Sequence, residues 1–338
     1  MLRQKWRAFA AMLALLGGML VSASSAAVAQ DNSSRIKVSV TSLPEVSAPD
    51  CHYVTRTQWC ETRRFVGSVY LNGKKVGEIY QTLIQRIIFD VKSLKFTERV
   101  SLRTDNVIGK HAQGVRAYMS VGCGKWCNVV NNLPKNVLVK KGTIYRGKAS
   151  YSIKVAPKVI RYLRNSYSLR FTKPGYKPAV VPWKGEPYRC DDRFGKRQRP
   201  GCVHHRTFPV ITTFKDLKFI APGIRRIQQK GPKHYGRRRD GLPLHYMASK
   251  TRAENHRTAV CRGQKPPAKL PSGWPTGQPP SCDEYPLAHT LEGGTNLPAA
   301  ERGITWVPLS ENHAQGGRFN AFLVKNRVLD GDAFWVAV

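Results

Sequence analysis

The sequence predicts an α+β protein in which an all-β N-terminal domain precedes a smaller C-terminal domain that contains helices. Short strand-like runs separated by turn signals fill the region from about residue 35 to residue 173, a pattern typical of a β sandwich or barrel. Helical patterns follow over Leu244–Cys261 and Arg318–Lys325. A chain of 338 residues with a hydrophobic content of 41% is long enough to form two separate cores.

The first thirty residues have the composition of a secretory signal peptide. Basic residues at positions 3, 5 and 7 precede an apolar run that ends near Val21, and small residues lead to Ala27-Val28-Ala29. This run is shorter than the roughly 20 residues that a membrane-spanning helix needs. We therefore expect residues 1–30 to be cleaved near Ala29 and the mature protein to be secreted without a membrane segment. An uncleaved anchor is the alternative.

The chain contains eight cysteines, an even number that favours disulfide bonds in an exported protein. Their spacing suggests that neighbours along the chain pair, as 51–60, 123–127, 190–202 and 261–282, although eight cysteines allow 105 pairings. Zinc binding is the alternative for Cys123 and Cys127, but no second ligand pair lies near them in the sequence.

Residues 31–175 form the predicted β-rich domain. The runs Arg64–Leu71 and Lys75–Tyr80 flank Asn72-Gly73. Asn-Gly between two strand-like runs indicates a hairpin, because both turn positions tolerate positive φ. Further strand-like runs are Gly114–Val121, Ala149–Val155 and Tyr167–Phe171. Sequence patterns indicate no catalytic constellation in this region.

Residues 176–240 are predicted to be a basic, proline-rich connector that contains a small disulfide loop. The run of cations that ends at Arg239 is compatible with a phosphate-contacting arm or with a solvated linker. The pair His204-His205 is compatible with metal ligation, but adjacent histidines on a basic loop are more often exposed to solvent.

Positive charge is concentrated before residue 241. The chain contains 56 lysines and arginines against 21 aspartates and glutamates, a net charge of +35. Residues 31–240 carry a net charge of +30, whereas residues 241–338 carry +2. Such a surface attracts polyanions such as DNA, and its binding weakens as salt rises. Adhesion to an anionic cell-wall polymer, or solubility alone, explains the same charge, so composition does not separate these partners.

Residues 241–338 form the predicted C-terminal domain. Its first helix would run over Leu244–Cys261 and would be followed by a Pro/Gly-rich loop. A bond between Cys261 and Cys282 would close this loop and fix the backbone beside Asp283.

Apolar residues near the C-terminus indicate the core of this domain. Phe319, Phe322 and Leu323 occur at helical spacing, and residues 334–338 have the pattern of a last buried strand. Each glycine of Gly316-Gly317 would destabilise a helix by roughly 1 kcal/mol relative to alanine. We therefore expect this glycine pair at a turn or at a tight backbone contact.

Acidic residues are sparse in this basic chain, yet three of them lie close together near its C-terminus. Asp283, Glu284 and Glu292 fall within ten residues, and Asn312 and Gln315 follow. Carboxylate and amide oxygens suit Mg²⁺, Mn²⁺ or Ca²⁺, and a second carboxylate can accept a proton from water. Hydrolysis of a phosphodiester needs both functions. Surface carboxylates in turns are the alternative interpretation of the same pattern.

This C-terminal segment resembles the NucA/NucB deoxyribonucleases, a family of secreted bacterial nucleases. The residues that carry the resemblance form an ordered series: Cys282-Asp-Glu-Tyr-Pro286, Glu292-Gly-Gly294, Val307-Pro308, Glu311-Asn312, Gln315-Gly-Gly317 and Gly331-Asp-Ala-Phe-Trp-Val336. Arg257 and Cys261 fit the helix that usually lies upstream. Such a series is more specific than any one short motif.

The resemblance implies a ββα-metal nuclease domain, in which two strands and a helix surround one divalent ion. The ion would be Mg²⁺ or Mn²⁺, with Ca²⁺ as a further option. Asp283 would be the general base. Glu284 or Glu292 would bind the ion together with Asn312, and Gln315 would support the site or contact phosphate.

Two histidines depart from the pattern of the family. His289 stands where the family usually has a small hydroxyl residue, and His313 follows Asn312 where a small polar residue is expected. Either histidine is able to assist proton transfer or to bind metal, although a histidine near a polar cleft is often a neighbour without a chemical role.

The sequence therefore predicts a secreted, metal-dependent endonuclease that hydrolyses DNA phosphodiester bonds with little sequence preference. The basic N-terminal region would hold the DNA backbone without reading bases. One alternative is a non-enzymatic protein that binds DNA or cell-wall polymers on a nuclease-like scaffold. Another is a secreted nuclease toxin whose β-rich part binds a target cell.

Overall fold

The computed structural model describes residues 34–43, 51, 54–195 and 199–338. The predicted signal peptide lies outside these residues. Across the described ranges, no helix is long and apolar enough to cross a membrane. The fold is α+β, with a large curled β-sheet in the N-terminal part and few helices.

The elements are numbered in chain order. The strands are β1 (Arg35–Leu43), β2 (Gln58–Leu71), β3 (Lys74–Ile88), β4 (Lys95–Ile108), β5 (Arg116–Gly122), β6 (Cys127–Asn131), β7 (Val137–Leu138), β8 (Ile144–Ile153), β9 (Ile160–Leu163), β10 (Ser166–Lys173), β11 (Tyr176–Lys184), β12 (Tyr188–Phe194), β13 (Arg199–Val203), β14 (Val210–Ile211), β15 (Leu244–His245), β16 (Pro280–Tyr285), β17 (Gly303–Pro308) and β18 (Ala333–Val336). The α-helices are α1 (Ile220–Lys230), α2 (Lys250–Cys261) and α3 (Leu309–Lys325), and 3-10 helices cover Lys110–Ala112, Thr213–Asp216 and Ala299–Glu301. The helix predicted over Leu244–Cys261 is thus confirmed from Lys250 onward.

Ten strands form one sheet in the order β6-β8-β4-β3-β2-β1-β11-β10-β5-β7. Its strand pairs are antiparallel apart from β1 and β11, which are parallel. Side chains alternate between the two faces of a strand. Phe65, Leu83 and Leu102 from one half of the sheet share a buried core with Leu169 and Phe171 from the other half. The sheet therefore curls so that its two halves enclose one core.

The hairpin predicted at Asn72-Gly73 is confirmed. Asn72 has a φ of 48° and Gly73 a φ of 76°, the left-handed conformation that a tight turn of this kind requires at both positions. The pairing of β2 with β3 extends from this turn to Gln58 opposite Ile88. The strand runs predicted further along the chain correspond to β5, β8 and β10.

All eight cysteines form the predicted neighbour pairs, which are Cys51–Cys60, Cys123–Cys127, Cys190–Cys202 and Cys261–Cys282. The described residues contain no free cysteine, so no thiolate is left for the zinc alternative. The last of the four bonds links the end of α2 to β16 and therefore shapes the region of the acidic cluster.

Residues 176–240 differ from the predicted connector, because they contribute to several structural units. β11 lies within the ten-stranded sheet, and β12 pairs with β9 and β13 in a sheet of three strands. α1 packs into the C-terminal core through Ile220, Ile224 and Ile227. These isoleucines recur at the spacing of one helix face, but the cations between them give the stretch the composition of a solvated linker.

The strands β16 and β17 form an antiparallel pair with helices on both faces. Positions 281, 283 and 285 share one face, because side chains alternate along a strand. On that face, Gln228 of α1 donates from Nε2 to the Tyr285 hydroxyl at 2.8 Å. Position 282, on the other face, is bonded to α2.

Gly316 and Gly317 lie within α3, so the expectation of a turn is wrong. The penalty of roughly 1 kcal/mol per glycine is offset by the burial of Phe319, Phe322 and Leu323, whose predicted core position is confirmed. A Cβ atom added at either glycine would meet no heavy atom within 4 Å. Close packing therefore does not require these glycines, and their surface instead borders a cleft.

A network of buried charges joins the N-terminal β structure to the C-terminal part. Arg189 donates from Nη1 to both carboxylate oxygens of Asp332 at 2.7 Å, and Arg56 pairs with the same carboxylate. Arg56 also donates from Nε to the backbone oxygen of Asn326 at 2.8 Å. Burial lowers the pKa of Arg56 to about 10, so this guanidinium stays charged at neutral pH.

Arg327 forms a second link between the same two parts. It donates to the two carboxylate oxygens of Asp191 at 2.6 and 3.0 Å, and both side chains are buried. It also donates to the backbone oxygens of Val91 and Arg199 at 2.8 and 2.6 Å. Buried charges are tolerated when they are paired and hydrogen-bonded, so these contacts favour one arrangement of the two parts.

Acidification between pH 6.5 and 4 is expected to destabilise the fold through His204. This side chain is 6% exposed, and burial lowers its pKa to about 4. Because the unfolded pKa is about 6.5, the unfolded state binds more protons in this window. Stability should therefore fall as pH falls, by up to ~1.4 kcal/mol per pH unit.

The measurement compares free energies of unfolding of wild type and His204→Gln at pH 7 and pH 5, with the exposed His313→Gln as the control. We expect the variant to lose less stability on acidification than wild type. Burial also lowers the pKa of His205 to about 4. His204→Gln therefore removes only part of the loss of stability on acidification. Equal losses in wild type and His204→Gln would contradict the assignment.

Candidate active site

One cleft in the C-terminal part, about 400 Å³ in volume, collects most of the polar residues that the sequence singles out. Asp283 and Glu284 of β16 line it, as do His289 from the following loop and Asn312 and Gln315 of α3. β16 contacts both α2 and α3, so residues that lie thirty positions apart in the sequence meet at one surface.

The Asp283 carboxylate is 4% exposed within β16. Gln315 donates from Nε2 to its Oδ2 at a distance of 3.4 Å. Burial raises the pKa of Asp283 well above its usual value, and the nearby charge of Glu284 raises it further. A carboxylate that is held in this way is a stronger base when ionised than an ordinary aspartate in water.

Glu284 lies on the other face of β16 and is also 4% exposed. Its Oε1 atom lies 3.5 Å from Nε of Arg257 on α2. Burial raises the pKa of Glu284, whereas the positive charge of Arg257 opposes that change. The strand therefore presents two adjacent carboxylates with different partners, one on α3 and one on α2.

Hydrogen bonds fix the orientation of the Asn312 amide. Its Nδ2 atom donates to Ser281 Oγ at 2.9 Å and to the backbone oxygen of Cys282 at 3.3 Å. Because a carbonyl oxygen can only accept, these contacts identify the nitrogen end of the amide. Oδ1 is then the end that can coordinate a cation.

Glu292 is not among the residues that line the cleft. Its Oε1 atom lies 2.7 Å from Nδ1 of His245, and its Oε2 atom accepts from the backbone nitrogen of His245 at 2.9 Å. Both carboxylate oxygens are thus engaged with β15. This geometry suits a residue that positions the loop after β16, whereas Glu284 lies at the cleft itself.

Two histidines lie at the cleft. The Nδ1 atom of His289 is 3.1 Å from the backbone oxygen of Met247. Nδ1 therefore carries the proton of the neutral ring and Nε2 carries the lone pair, as in many histidines that bind metal or accept protons. His313 lines the cleft from an exposed position on α3.

Sequence patterns assign no chemical role to Arg257, Ser281 or Glu311. Arg257 lies one helical turn before Cys261, so the predicted bond from Cys261 to β16 was a signal that could have placed it beside Glu284. Glu311 Oε1 accepts from two backbone nitrogens at the start of α1, at 2.7 and 2.8 Å, and thereby ties α1 to the start of α3.

The donor set suits a hard divalent cation that keeps part of its water shell. Glu284 offers a carboxylate and Asn312 an amide oxygen, and Mg²⁺ is typically held by one or two carboxylates together with water. Within the part of the chain that the structure describes, no group of three or more His, Cys, Asp or Glu side chains could hold a metal ion. A two-ligand site fits these residues, and a closed protein cage does not.

A larger groove, about 780 Å³ in volume, adjoins the cleft, and Asn320 of α3 lines both cavities. Arg193-Phe194 of β12 contributes to its lining from the N-terminal part of the chain. Tyr246, Lys250 and Asp330 contribute from the C-terminal part. Both parts therefore add cations and aromatic rings to one surface next to the acidic cluster.

The C-terminal part is thus an α+β unit that brings two buried carboxylates, an oriented amide and a histidine to one open cleft, an arrangement suited to acid–base chemistry. Residues 234–337 match the family model described as Deoxyribonuclease NucA/NucB. The resemblance seen in the sequence motifs is confirmed for this region, while the N-terminal region matches no family model. The chain matches no curated protein and no solved structure.

Proposed function

We propose that this protein is a secreted, metal-dependent endonuclease that hydrolyses DNA phosphodiester bonds with little sequence preference. The observation that carries the proposal is the meeting of Asp283, Glu284 and Asn312 at one cleft within the region that matches a deoxyribonuclease family. Four disulfide bonds agree with an extracellular site of action.

Asp283 would accept a proton from the water that attacks phosphorus. Its low exposure limits competition from solvent, and the contact from Gln315 Nε2 holds one carboxylate oxygen in place. Burial raises its pKa, so the ionised carboxylate is a stronger base than an ordinary aspartate. His289, with a lone pair on Nε2, is the second proton acceptor at the cleft.

Glu284 and Asn312 would hold a divalent ion, Mg²⁺ or Mn²⁺. When bound, the ion would offset the negative charge that develops on the phosphate. Ser281 and the backbone oxygen of Cys282 keep the Asn312 amide turned so that Oδ1 is available. Arg257, which pairs with Glu284, is placed to contact a phosphate oxygen of the substrate.

The surface around these residues leaves room for a polymer. Gly316 and Gly317 line the cleft without side chains, so a sugar–phosphate backbone can approach α3 closely. The adjoining groove would accept the strand beside the scissile phosphate, with Arg193 and Lys250 near phosphates. The N-terminal part would thus contribute to substrate binding.

Removal of divalent metal should abolish cleavage of DNA by the purified protein. The measurement follows fragmentation of double-stranded DNA in EDTA and then after separate addition of Mg²⁺, Mn²⁺ or Ca²⁺. We expect no cleavage in EDTA and recovery with at least one ion, because the carboxylate and amide oxygens at the cleft are ligands for hard cations.

Undiminished cleavage in EDTA would contradict the metal-dependent mechanism. Salt-sensitive binding of DNA without cleavage in any of the three ions would instead support the non-enzymatic polyanion-binding protein. A parallel assay on RNA tests whether the site requires deoxyribose.

A further inference from the structure

We infer that one face of the ten-stranded sheet is a binding surface for the phosphate backbone of DNA, separate from the catalytic cleft. This surface, here called the basic face, comprises Arg64 of β2, Arg86 of β3, Arg99 and Arg103 of β4, and Arg146 and Lys148 of β8. DNA as its ligand rests on the proposed function, whereas the recognition of repeated phosphates rests on the surface itself.

The strand register places these cations in rows. Arg86 lies opposite Arg99, and Arg99 lies opposite Lys148, so three cations form a row across β3, β4 and β8. Arg146 belongs to the neighbouring row, opposite Ser101. Directly opposite residues in a sheet have Cβ atoms about 5 Å apart, so the row of three cations spans roughly 10 Å.

Alternation along the strands puts these side chains on the outside of the sheet. The intervening residues Leu83, Val100 and Leu102 face the buried core. Arg99 and Lys148, at the same time, are exposed. These two cations are therefore accessible to a large ligand.

Two shallow grooves cross the basic face, with volumes of about 540 and 530 Å³. Arg86, Arg99, Arg146 and Lys148 line the first groove, and Arg64 and Arg103 line the second. Among the described residues that line either groove, Asp105 supplies the single carboxylate. Asp105 is already engaged with Arg103 at 2.6 Å.

The pairing of Arg99 with Lys148 is unfavourable for folding alone, because like charges directly opposite each other destabilise a sheet. Within the described chain, the side chains of Arg99, Arg146 and Lys148 form no salt bridge that would relieve this repulsion. A ligand with closely spaced negative charges would remove the repulsion. Guanidinium and ammonium groups contact phosphates without reading bases, so the basic face fits the backbone of DNA.

The test measures DNA binding in EDTA with the Asp283→Ala protein, in which cutting is blocked. A triple variant, Arg99→Gln, Arg146→Gln and Lys148→Gln, is compared with a control that removes three exposed lysines outside the grooves, Lys110, Lys141 and Lys158. Both variants lose the same net charge. The affinity for a short duplex is measured by fluorescence anisotropy at several salt concentrations.

We expect the triple variant to bind at least ~10-fold more weakly at low salt, and its salt slope to be shallower by about 2 to 3. Each lysine or arginine that contacts a duplex phosphate contributes roughly 0.9 to this slope. The control should change the slope by less than one. The melting temperature of the triple variant should stay equal or rise, because repulsion is removed.

Equal changes in the two variants would overturn the inference, since net charge alone would then explain binding. An unchanged salt slope in the triple variant would also overturn it. Loss of binding to a teichoic-acid polymer without loss of binding to DNA would assign the face to cell-wall polymers instead. The single variant Lys148→Glu, opposite Arg99, repeats the test with one substitution. Because the test measures binding and not cleavage, failure of the inference about the basic face is distinguishable from failure of the nuclease mechanism.

Discussion

Replacement of Asp283 by asparagine is expected to lower the rate of DNA hydrolysis by roughly 10²- to 10⁴-fold, the range that a positioned general base contributes. Asparagine keeps the size of the side chain and its contact with Gln315, which lies 3.4 Å away. It cannot accept the proton of the attacking water. The measurement is the single-turnover rate of cleavage of a labelled duplex with metal in excess.

The fold should tolerate this substitution, which makes the loss of rate interpretable. Burial raises the pKa of Asp283, because a charged carboxylate is costly to bury in the folded protein. A neutral amide should therefore leave the melting temperature unchanged or raise it. Glu254→Gln is the matched control, because Glu254 is an exposed carboxylate of the same region that lines neither the cleft nor the adjoining groove. A rate within threefold of wild type for Asp283→Asn would exclude Asp283 as the base.

Replacement of Asp191 by alanine is expected to lower the free energy of unfolding by about 3 to 5 kcal/mol, because it leaves a buried charge without its partner. Asp191 is fully buried, and it accepts from Arg327 at 2.6 and 3.0 Å. Arg327 itself is 1% exposed, so bulk water does not hydrate its guanidinium in the folded protein. The measurement is equilibrium unfolding in urea.

Asp240→Ala is the control for this loss of stability. Asp240 forms a pair with Arg237 at 2.5 and 2.7 Å, but its side chain is 46% exposed. Exposed pairs contribute about 0 to 1 kcal/mol, so the control should unfold nearly as wild type does.

Asp191 lies outside the region that matches the nuclease family. A loss of nuclease activity in Asp191→Ala at the urea concentration where it unfolds would show that the catalytic part depends on the N-terminal part for its stability. A change below 1 kcal/mol would contradict a stabilising role for the buried network.

Local patterns were sufficient to predict much of this fold. The Asn72-Gly73 turn, the four cysteine pairs and the core position of Phe319 each depend on residues that are close in sequence or share one periodicity. The glycine pair of α3 was misplaced because helix propensity is a weak tendency that tertiary packing overrides.

Contacts between distant residues could not be predicted in the same way. Arg56 and Asp332 are 276 positions apart and meet through the joining of two parts of the chain, and no local pattern marks such a pair. The candidate site shows the same limit. The motifs named Asp283, Glu284, Asn312 and Gln315, which the fold brings together, whereas proximity in sequence did not show that Glu292 turns to His245.

The basic character of the chain is also clearer in three dimensions than in composition. A net charge of +30 over residues 31–240 indicates attraction to polyanions but no particular surface. The register of β3, β4 and β8 arranges part of that charge in rows on one face. The proposed binding of phosphates and the proposed cleavage of phosphodiester bonds thus involve different surfaces of one protein and can be tested separately.

The most direct test of the proposed active site is the conversion of supercoiled plasmid by wild type and by Asp283→Asn under identical conditions, in separate reactions with Mg²⁺, Mn²⁺ and Ca²⁺. We expect wild type to produce relaxed and then linear plasmid, which shows cleavage at internal bonds, and we expect the variant to leave the plasmid supercoiled over the same period. Both proteins should bind the plasmid with similar affinity. Relaxation of the plasmid at equal rates by the two proteins, or by neither, would contradict catalysis by the cleft around Asp283.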